Sequence, residues 1–340
     1  MLNIISLTAL RKKVTWPWKV VKNLMKGLDS LGYPYILNGN LNSTKRLWIH
    51  DDVFALRELY TLHPDTKLII GPNLYSLPRK IPHDINIDIY PHLMPSTWVV
   101  DFWKYFGYSW ILESWPTWID TFTFAPSVQK KTKVLVYFKQ RREEDLDTIT
   151  NHLKKKGIQY EVIYYGKYSE SVFLEDLQTT KYVIWIGCSE SQGIALEEIL
   201  ACDIPILLWD ITRFDQCGYS SWLFTSDELL YTPVTSAPYF DTSCGMRIFD
   251  FQEISVALDT MEKNYTLYKP RIFIETHLPL ALQAKRFIEL YDKYYNLSYI
   301  DGLSEVLLNK DNFRSNILIG KLFDIYDSKP IILLRKIFRK

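Results

Sequence analysis

Two glutamates, Glu190 and Glu198, mark the beginning and the body of one stretch with helical periodicity, "ESQGIALEEILA". Glu190 follows the apolar run "KYVIWIG", and Glu198 falls about two helical turns later, on nearly the same face of a helix. One carboxylate there can meet a sugar hydroxyl and the other the hydroxyls of a ribose. Each also has a plainer interpretation, because Glu190 suits a helix N-cap and Glu198, beside Glu197, suits a solvated face.

The segment that joins this strand to the helix is a candidate anion site. Ser191, Gln192, Gly193 and Ile194 lie where a buried strand ends and a helix begins, at the edge of an open α/β sheet that binds ligands. Amides in a first helical turn lack partners within the helix and carry the positive end of its dipole. The segment therefore suits a phosphate or a nucleotide sugar, and Gly193 allows a close backbone approach.

Basic and aromatic residues follow two earlier strands of the same series. Lys139, Arg141 and Arg142 come after "KVLVYF", at the end of a strand, and are candidates for binding an anion; a solvated basic loop is the alternative, chiefly for Arg142. In "YYGKYSE", Gly166 permits close approach of a ligand to the backbone. Tyr168 either contacts that ligand or simply packs.

Histidine offers two candidates and no metal site. His50 and His92 each follow an apolar run in the first half of the chain and are candidate site residues there. The alternative is that each is only hydrogen-bonded. No His-x-x-x-His pair occurs among the six histidines, so we expect no metal cofactor.

Short apolar runs alternate with helical patterns along the chain, which is typical of parallel α/β units. The runs "NIISL", "YPYIL", "RLWIH", "KLIIG", "INIDIY" and "SWILESWP" predict strands, and "WKVVKNLMKGLDSLG", "VFALRELYTLH" and "PSTWVVDFWKYFG" predict helices. A more regular series runs from residue 133 to 210, and the chain turns mostly helical after residue 249. We predict an N-terminal Rossmann-like domain over 1–125, a second over 126–275, and C-terminal helices over 276–340 that pack back toward the first.

Composition narrows the class of protein. The net charge of +1 provides no field that attracts nucleic acid. Four cysteines without metal-ligand spacing indicate free thiols in a reducing compartment. No run approaches the roughly 20 apolar residues of a membrane span, so a cytoplasmic protein is expected. The basic, apolar end "PIILLRKIFRK" is compatible with weak peripheral contact with a membrane, or with a docking helix end.

Three motifs resemble those of retaining GT-B glycosyltransferases of the glycosyl transferases group 1 (family 4-like) type. "ESQGIALEEILACDIPIL" is similar to the Glu–x7–Glu motif, with the characteristic positions filled by Glu190, Gly193, Glu198 and Pro205. "WPTWIDTFTFAP" is similar to the interdomain segment, although Trp118 stands where glycine is usual. "PSTWVVDFWKYFG" resembles the Pro-Ser-x-Trp helix. The resemblance covers most of the chain to about Asp210.

The resemblance implies a GT-B fold, with two Rossmann-like domains facing each other across a cleft and helices at the end. It also implies a hexosyl or related transferase that uses a nucleotide-diphosphate sugar and a carbohydrate or lipid-linked acceptor. In that scheme Glu190, Lys139 and Arg141 are catalytic. Lys139, Arg141 and Arg142 neutralise the diphosphate of the donor, and Glu198 holds the ribose. The other residues that bind the donor are Gly166, Tyr168, Ser191, Gln192, Gly193 and Ile194, with Tyr168 covering the base. His50 or His92 lies on the acceptor side.

The sequence departs from the pattern at two places. Lys139 occupies the position of the family's phosphate-binding Arg, and Glu144 stands where its Lys is expected. "RKKVTWPWK" replaces the usual Gly-rich loop. A non-catalytic GT-B scaffold that binds a glycan or partner therefore stays open, as do a phosphorylase and a nucleotide-sugar epimerase. The sugar, the base, the acceptor and the oligomeric state stay open too.

Overall fold

The computed structural model describes residues 1–11, 15–108, 110–218 and 223–296. They form two compact units. The first unit holds residues 1–94, 103–115 and the described chain from Leu280 onward, and the second holds residues 95–102 and 116–279. The predicted ranges 1–125, 126–275 and 276–340 follow one another in order, whereas these units interleave, because residues 280–296 belong to the first unit.

Each unit contains one parallel sheet, so the predicted α/β architecture is confirmed. The first sheet has the order β2-β1-β3-β4-β5-β6, with strands β1 (Leu2–Ile5), β2 (Tyr35–Leu37), β3 (Arg46–Ile49), β4 (Lys67–Ile70), β5 (His92–Met94) and β6 (Leu112–Ser114). The second has the order β11-β10-β9-β7-β8, with strands β7 (Lys133–Lys139), β8 (Tyr160–Tyr164), β9 (Thr180–Gly187), β10 (Ile206–Trp209) and β11 (Gly245–Ile248).

Helices connect and cover these strands. Those of the described chain are α1 (Trp16–Ser30), α2 (Thr97–Tyr105), α3 (Glu143–Lys156), α4 (Glu170–Gln178), α5 (Ile194–Ala201), α6 (Ser226–Leu230), α7 (Ile254–Asn264), α8 (Pro270–His277) and α9 (Leu280–Tyr295). Shorter 3-10 turns lie between them, including Phe214–Gln216. None of the helices within residues 1–11, 15–108, 110–218 and 223–296 is long and apolar enough to cross a membrane.

The three central strands of the second sheet, β7, β9 and β10, are buried on both faces, as their nearly continuous apolar runs require. One face, with Val134, Val136 and Ile184, packs against Ile149 of α3 and Leu258 of α7. Helix α3 forms at this position for local reasons as well. Its first turn is acidic and its last turn is basic, which complements the helix dipole, and Gly157 ends it in the left-handed conformation.

The last described helix, α9, packs within the first unit. Gly27 of α1 leaves room for it, since a Cβ on Gly27 would lie 2.8 Å from the Cβ of Ala284. The Tyr291 hydroxyl donates a 2.8 Å hydrogen bond to the carbonyl of Leu47 in β3. Near the end of the helix, Lys293 and Tyr294 both bind the carboxylate of Glu113. These contacts tie residues far apart in sequence into one core.

Two elements of the first unit differ from the prediction. "INIDIY" is not a strand, because Asp88 donates its amide to the Asn86 side chain and Tyr90 donates to the carbonyl of Ile87, which are turn contacts. Strand β5 comes just after it. "VFALRELYTLH" forms a 3-10 helix over Ala55–Thr61 in which only Ala55 and Leu56 are buried. Too little apolar surface is covered there to stabilise an α-helix.

Strand β11 follows no strand pattern that we recognised in the sequence. The basic C-terminal stretch and residues 12–14 of the loop after β1 lie outside the described residues.

Candidate functional site

The candidate residues of the second unit meet at the switch point of its sheet. After β7 the chain crosses to β8 on one side, and after β9 it crosses to β10 on the other. Strands β7 and β9 are neighbours, with Lys139 opposite Gly187. In doubly wound sheets the crevice between two such strands, at their carboxyl ends, is where ligands bind. Lys139 ends β7, and Glu190 follows the end of β9.

Lys139 and Glu190 form a buried ion pair at this point. The Lys139 Nζ lies 2.6 Å from Oε1 of Glu190 and 4.2 Å from the ring centroid of Tyr165. Glu190 is 8% exposed. Burial raises the pKa of its carboxyl above the ordinary value, and the charge and hydrogen bond of Lys139 oppose that rise. Tyr165, about half exposed, is a site residue that the sequence analysis missed.

The backbone of Glu190 is held on both sides. Its carbonyl accepts a 2.9 Å hydrogen bond from the indole Nε1 of Trp98, and its amide donates 3.0 Å to the carbonyl of Thr235. Thr235 is itself fixed, because its hydroxyl donates to the buried carboxylate of Asp210 at 2.7 Å. Asp210 also accepts from the amide and hydroxyl of Ser236. The position of Glu190 is therefore set by residues from three other segments.

The segment before α5 ends in a glycine with a left-handed backbone conformation. Gly193 is its N-cap residue, with φ +95° and ψ +44°, a conformation that favours glycine. Ser191 is partly exposed, while Gln192, Gly193 and Ile194 are buried. Gln192 differs from expectation in one respect, because its side chain is engaged with Thr117 and Glu197 inside the protein. The backbone of Gln192, and not its side chain, is therefore available to bind an anion.

Both acidic residues on α5 are buried. Glu198 is 5% exposed and Glu197 is fully buried, so the alternative interpretation of a solvated helix face is wrong. Burial raises the pKa of Glu197 well above the ordinary value; the Gln192 hydrogen bond opposes this and the charges of Glu198 and Glu190 add to it. Three carboxyl groups thus belong to one short stretch of chain.

The two arginines after β7 are engaged within the protein. Arg141 is buried, with Nε 2.8 Å from the Asp145 carboxylate and Nη1 within hydrogen-bond distance of the carbonyls of Gly187 and Trp209. Its guanidinium also lies over the Trp209 ring. The exposed Arg142 donates to the carbonyl of Asp215 at 2.9 Å. These contacts fix the loop after β7, and they differ from the predicted diphosphate contacts.

Tyr168 makes packing contacts. Its hydroxyl lies 2.8 Å from that of Tyr137, and its ring contacts Phe173 of α4. Tyr137 in turn stacks on Trp185 with ring centroids 4.3 Å apart. Gly166 lies in the turn after β8 with φ +75°. Of Gly166 and Tyr168, it is Gly166 whose position leaves room for a ligand to approach.

The two candidate histidines occupy opposite ends of their strands. His50 directly follows β3, at the carboxyl edge of the first sheet, and its Nε2 lies 3.1 Å from the Pro17 carbonyl. His92 begins β5 instead, fully buried between Trp103 and Trp110. Neither ring nitrogen of His92 has a hydrogen-bond partner in the described chain. Burial lowers the pKa of His92 to about 3.

The expectation of four free thiols is wrong. Cys188 and Cys217 form a disulfide, with Cα atoms 5.3 Å apart, while Cys202 and Cys244 are free and buried. Sequence spacing did not show this pairing, because the fold alone brings the end of β9 to the turn at Phe214–Gln216. The bond anchors the backbone two residues before Glu190. Among the described residues, no group of three or more His, Cys, Asp or Glu has the arrangement to hold a metal ion.

Comparison with known proteins gives the class of fold. No family model matches the sequence, and no curated protein sequence does. Among solved structures, sucrose-phosphate synthase from Thermosynechococcus elongatus aligns with a TM-score of 0.55 and 9% identity over 87% of this chain and 99% of its own. AviGT4, a glycosyltransferase of avilamycin A biosynthesis, aligns with a TM-score of 0.54 and 13% identity over 87% of this chain and 98% of its own.

A third likeness is to TarM, with a TM-score of 0.52 and 10% identity over 80% of this chain. The chain spans 58% of the length of TarM. A structure of TarM from S. aureus contains UDP. At these identities the likeness is one of fold, and it confirms that the chain has the GT-B fold.

Proposed function

We propose that this chain is a glycosyltransferase that moves a sugar from a nucleotide-diphosphate sugar to a carbohydrate or lipid-linked acceptor, with retention of configuration. The observation that carries the proposal is the buried pair of Lys139 and Glu190 at the switch point between β7 and β9. A cation and a carboxylate side by side match the two parts of such a donor, its phosphates and its sugar hydroxyls. The GT-B fold supports the proposal, and the UDP bound to TarM is in keeping with it.

In the proposed reaction, Lys139 exchanges its carboxylate partner for the diphosphate of the donor. Its charge then offsets the negative charge that builds on the leaving group, aided by the amide dipoles at the beginning of α5. Such a group acts strongly because it is fixed before the reaction and shielded from water. The sugar hydroxyls take the place of Lys139 as hydrogen-bond partners of Glu190.

Glu198 is proposed to hold the ribose, and the backbone of Ser191, Gln192, Gly193 and Ile194 to approach the donor. Departure of the diphosphate and attack by the acceptor on the same face of the sugar follow from the resemblance to retaining enzymes. Arg141 is assigned an indirect part, since it fixes the loop that carries Lys139. His50 stays the candidate on the acceptor side, and no metal ion is required in this proposal because Lys139 supplies the positive charge.

One observation favours a second candidate function, a non-catalytic scaffold that binds a glycan or partner. Arg141 is occupied by Asp145 and two carbonyl groups, so a single lysine replaces the pair of cations seen in the family pattern. A scaffold of this kind is expected to bind a glycan without turning over any nucleotide sugar.

The experiment is a turnover assay with a panel of nucleotide sugars, reading the release of nucleoside diphosphate. Lys139→Met and Glu190→Gln are each expected to lower turnover by roughly a hundredfold or more, as for other preorganised charges at a leaving group. Lys156→Met is the matched control, because Lys156 pairs with Asp259 at the exposed end of α3. Near-full turnover by Lys139→Met or Glu190→Gln would overturn the site assignment.

A further inference from the structure

Glu197 is a buried acid beside the candidate donor site that the proposed reaction does not use. Its Oε2 accepts a 2.9 Å hydrogen bond from Nε2 of Gln192. Its Oε1 has no hydrogen-bond partner among the described residues. Buried carboxyl groups are costly when incompletely paired, so a residue of this kind calls for an explanation.

Gln192 explains why an acid is buried here, because both polar atoms of its side-chain amide are hydrogen-bonded. Its Oε1 accepts from the amide of Thr117 at 2.8 Å, and its Nε2 donates to the carbonyl of Thr117 at 2.7 Å. The second hydrogen on Nε2 goes to Glu197. All three residues are buried. The carboxyl of Glu197 therefore fixes the orientation of the Gln192 amide. That amide in turn binds both the backbone N–H and the backbone carbonyl of Thr117.

Gln192 lies between Glu190 and Gly193, in the middle of the segment proposed to bind the donor. Trp98 and Thr235 hold the backbone of Glu190, and the side chain of Gln192 holds the next part of the same segment. We propose that Glu197 is a positioning residue that locks Gln192 onto Thr117 and so keeps the donor segment in one geometry. The catalytic part of this inference rests on the proposed glycosyl transfer.

The charged and titratable groups that act on Glu197 are Glu198 on its own helix and Glu190 on the loop, where Glu190 is paired with Lys139. Both neighbours are acidic and the site is buried, and each effect raises the pKa of Glu197. The raised pKa favours the uncharged form of the carboxyl, and the hydrogen bond with Gln192 requires only that the carboxyl accepts. A glutamine of the same shape is able to replace it, whereas a leucine is not.

The test compares Glu197→Gln with Glu197→Leu. Deuterium exchange at the Thr117 amide is expected to be unchanged in Glu197→Gln and roughly fivefold to tenfold faster in Glu197→Leu, the effect of one lost hydrogen bond. Turnover follows the same order, with a higher donor KM and a lower kcat in Glu197→Leu.

If Glu197 only stabilised the fold, turnover would change in step with stability. Replacing a buried acid by an apolar side chain is expected to keep or raise the melting temperature. Under the positioning role, Glu197→Leu is therefore stable and its turnover is nevertheless low. Glu197→Met is a second apolar variant if Glu197→Leu does not fold. Unchanged exchange at Thr117 in the apolar variant overturns the inference, and so does equal turnover in Glu197→Gln and the apolar variant.

The two proposals fail in different ways. If wild type turns over no nucleotide sugar, the proposed function is wrong, and the exchange measurement alone then decides whether Glu197 locks Gln192. If wild type is active and exchange at Thr117 does not respond to Glu197→Leu, the proposed function stands and the positioning role is wrong.

Discussion

Lys139 and Glu190 offset each other's charge where little water reaches them. In such a setting, removing one partner leaves the other charge buried and unpaired, which costs more than the pair itself contributes. Variants that change one partner therefore need a measure of folding beside the measure of turnover. Methionine for Lys139 and glutamine for Glu190 keep the volume of each side chain, and glutamine retains a hydrogen-bond acceptor.

His92 gives a prediction that depends on pH. Its pKa of about 3 in the folded chain lies below the ordinary value of about 6.5, so the unfolded chain takes up a proton first as the pH falls. The free energy of unfolding of the wild type therefore falls progressively, by the contribution of His92, between about pH 6.5 and pH 3. We expect His92→Phe to gain about 2 kcal/mol over wild type at pH 5, beyond any difference at pH 8.

Thermal unfolding at the two pH values measures this difference. His83→Phe, at an exposed position, is the control and should give the same small change at both. An equal effect of His92→Phe at pH 5 and pH 8 would contradict the assignment of His92 as a buried, uncharged residue of the core.

At the scale of residues, the sequence predicted the acids and missed what holds them. Glu190 and Glu198 were recognisable because they fill the positions of a Glu–x7–Glu motif, with Gly193 between them and Pro205 after them. Trp98, Thr117 and Thr235 were not, since each meets the donor segment from a distant part of the chain. Glu197 received no role of its own from the sequence, because periodicity does not show that both faces of so short a helix are covered.

The beginning of α5 shows how one element positions the site. Gly193 takes φ +95° at the N-cap, and a Cβ there would meet its neighbours at 3.7 Å or more, which is ordinary contact. Any effect of adding that Cβ is therefore an effect on the backbone. A residue other than glycine in this conformation costs about 1–2 kcal/mol.

Gly193→Ala and Gly157→Ala form a matched pair. Gly157 ends α3 with φ +66° and has no atom within 4 Å of an added Cβ, so each variant should melt a few degrees below wild type. Only Gly193→Ala is expected to lower nucleotide-sugar turnover as well, because it moves the donor segment. Equal turnover by the two variants would show that the segment before α5 is not part of the site.

Elements were predictable where local and long-range preferences agree. Strands β7, β9 and β10 are buried on both faces, and the elements predicted from β7 to β10 are confirmed. It is wrong at residues 85–90, where the apolar spacing suits a strand but Asn86 and Asp88 form a turn instead. Strand β11 is buried only at Gly245 and Ile248 and has an exposed Arg247 between them, so it carries no continuous apolar run.

The two units share one order of their first three strands. In each unit the first strand lies between the second and the third, as in β2-β1-β3 and β8-β7-β9, so each sheet has its switch point beside its first strand. In the first unit, Asp51 after β3 accepts hydrogen bonds from the amides of Leu7 and Thr8 after β1. The sequence predicted two such sheets; the interleaving of the units and the disulfide depend on contacts that only the folded chain shows.

The central claim is that the second unit binds a nucleoside diphosphate at Lys139. The most direct test is calorimetric titration of uridine, guanosine, adenosine, cytidine and thymidine diphosphates into wild type, Lys139→Met and Lys156→Met. We predict that wild type and Lys156→Met bind at least one of these nucleotides equally well, and that Lys139→Met binds it at least about tenfold more weakly. Failure of the wild type to bind any of the five, or equal binding by Lys139→Met, would contradict the claim.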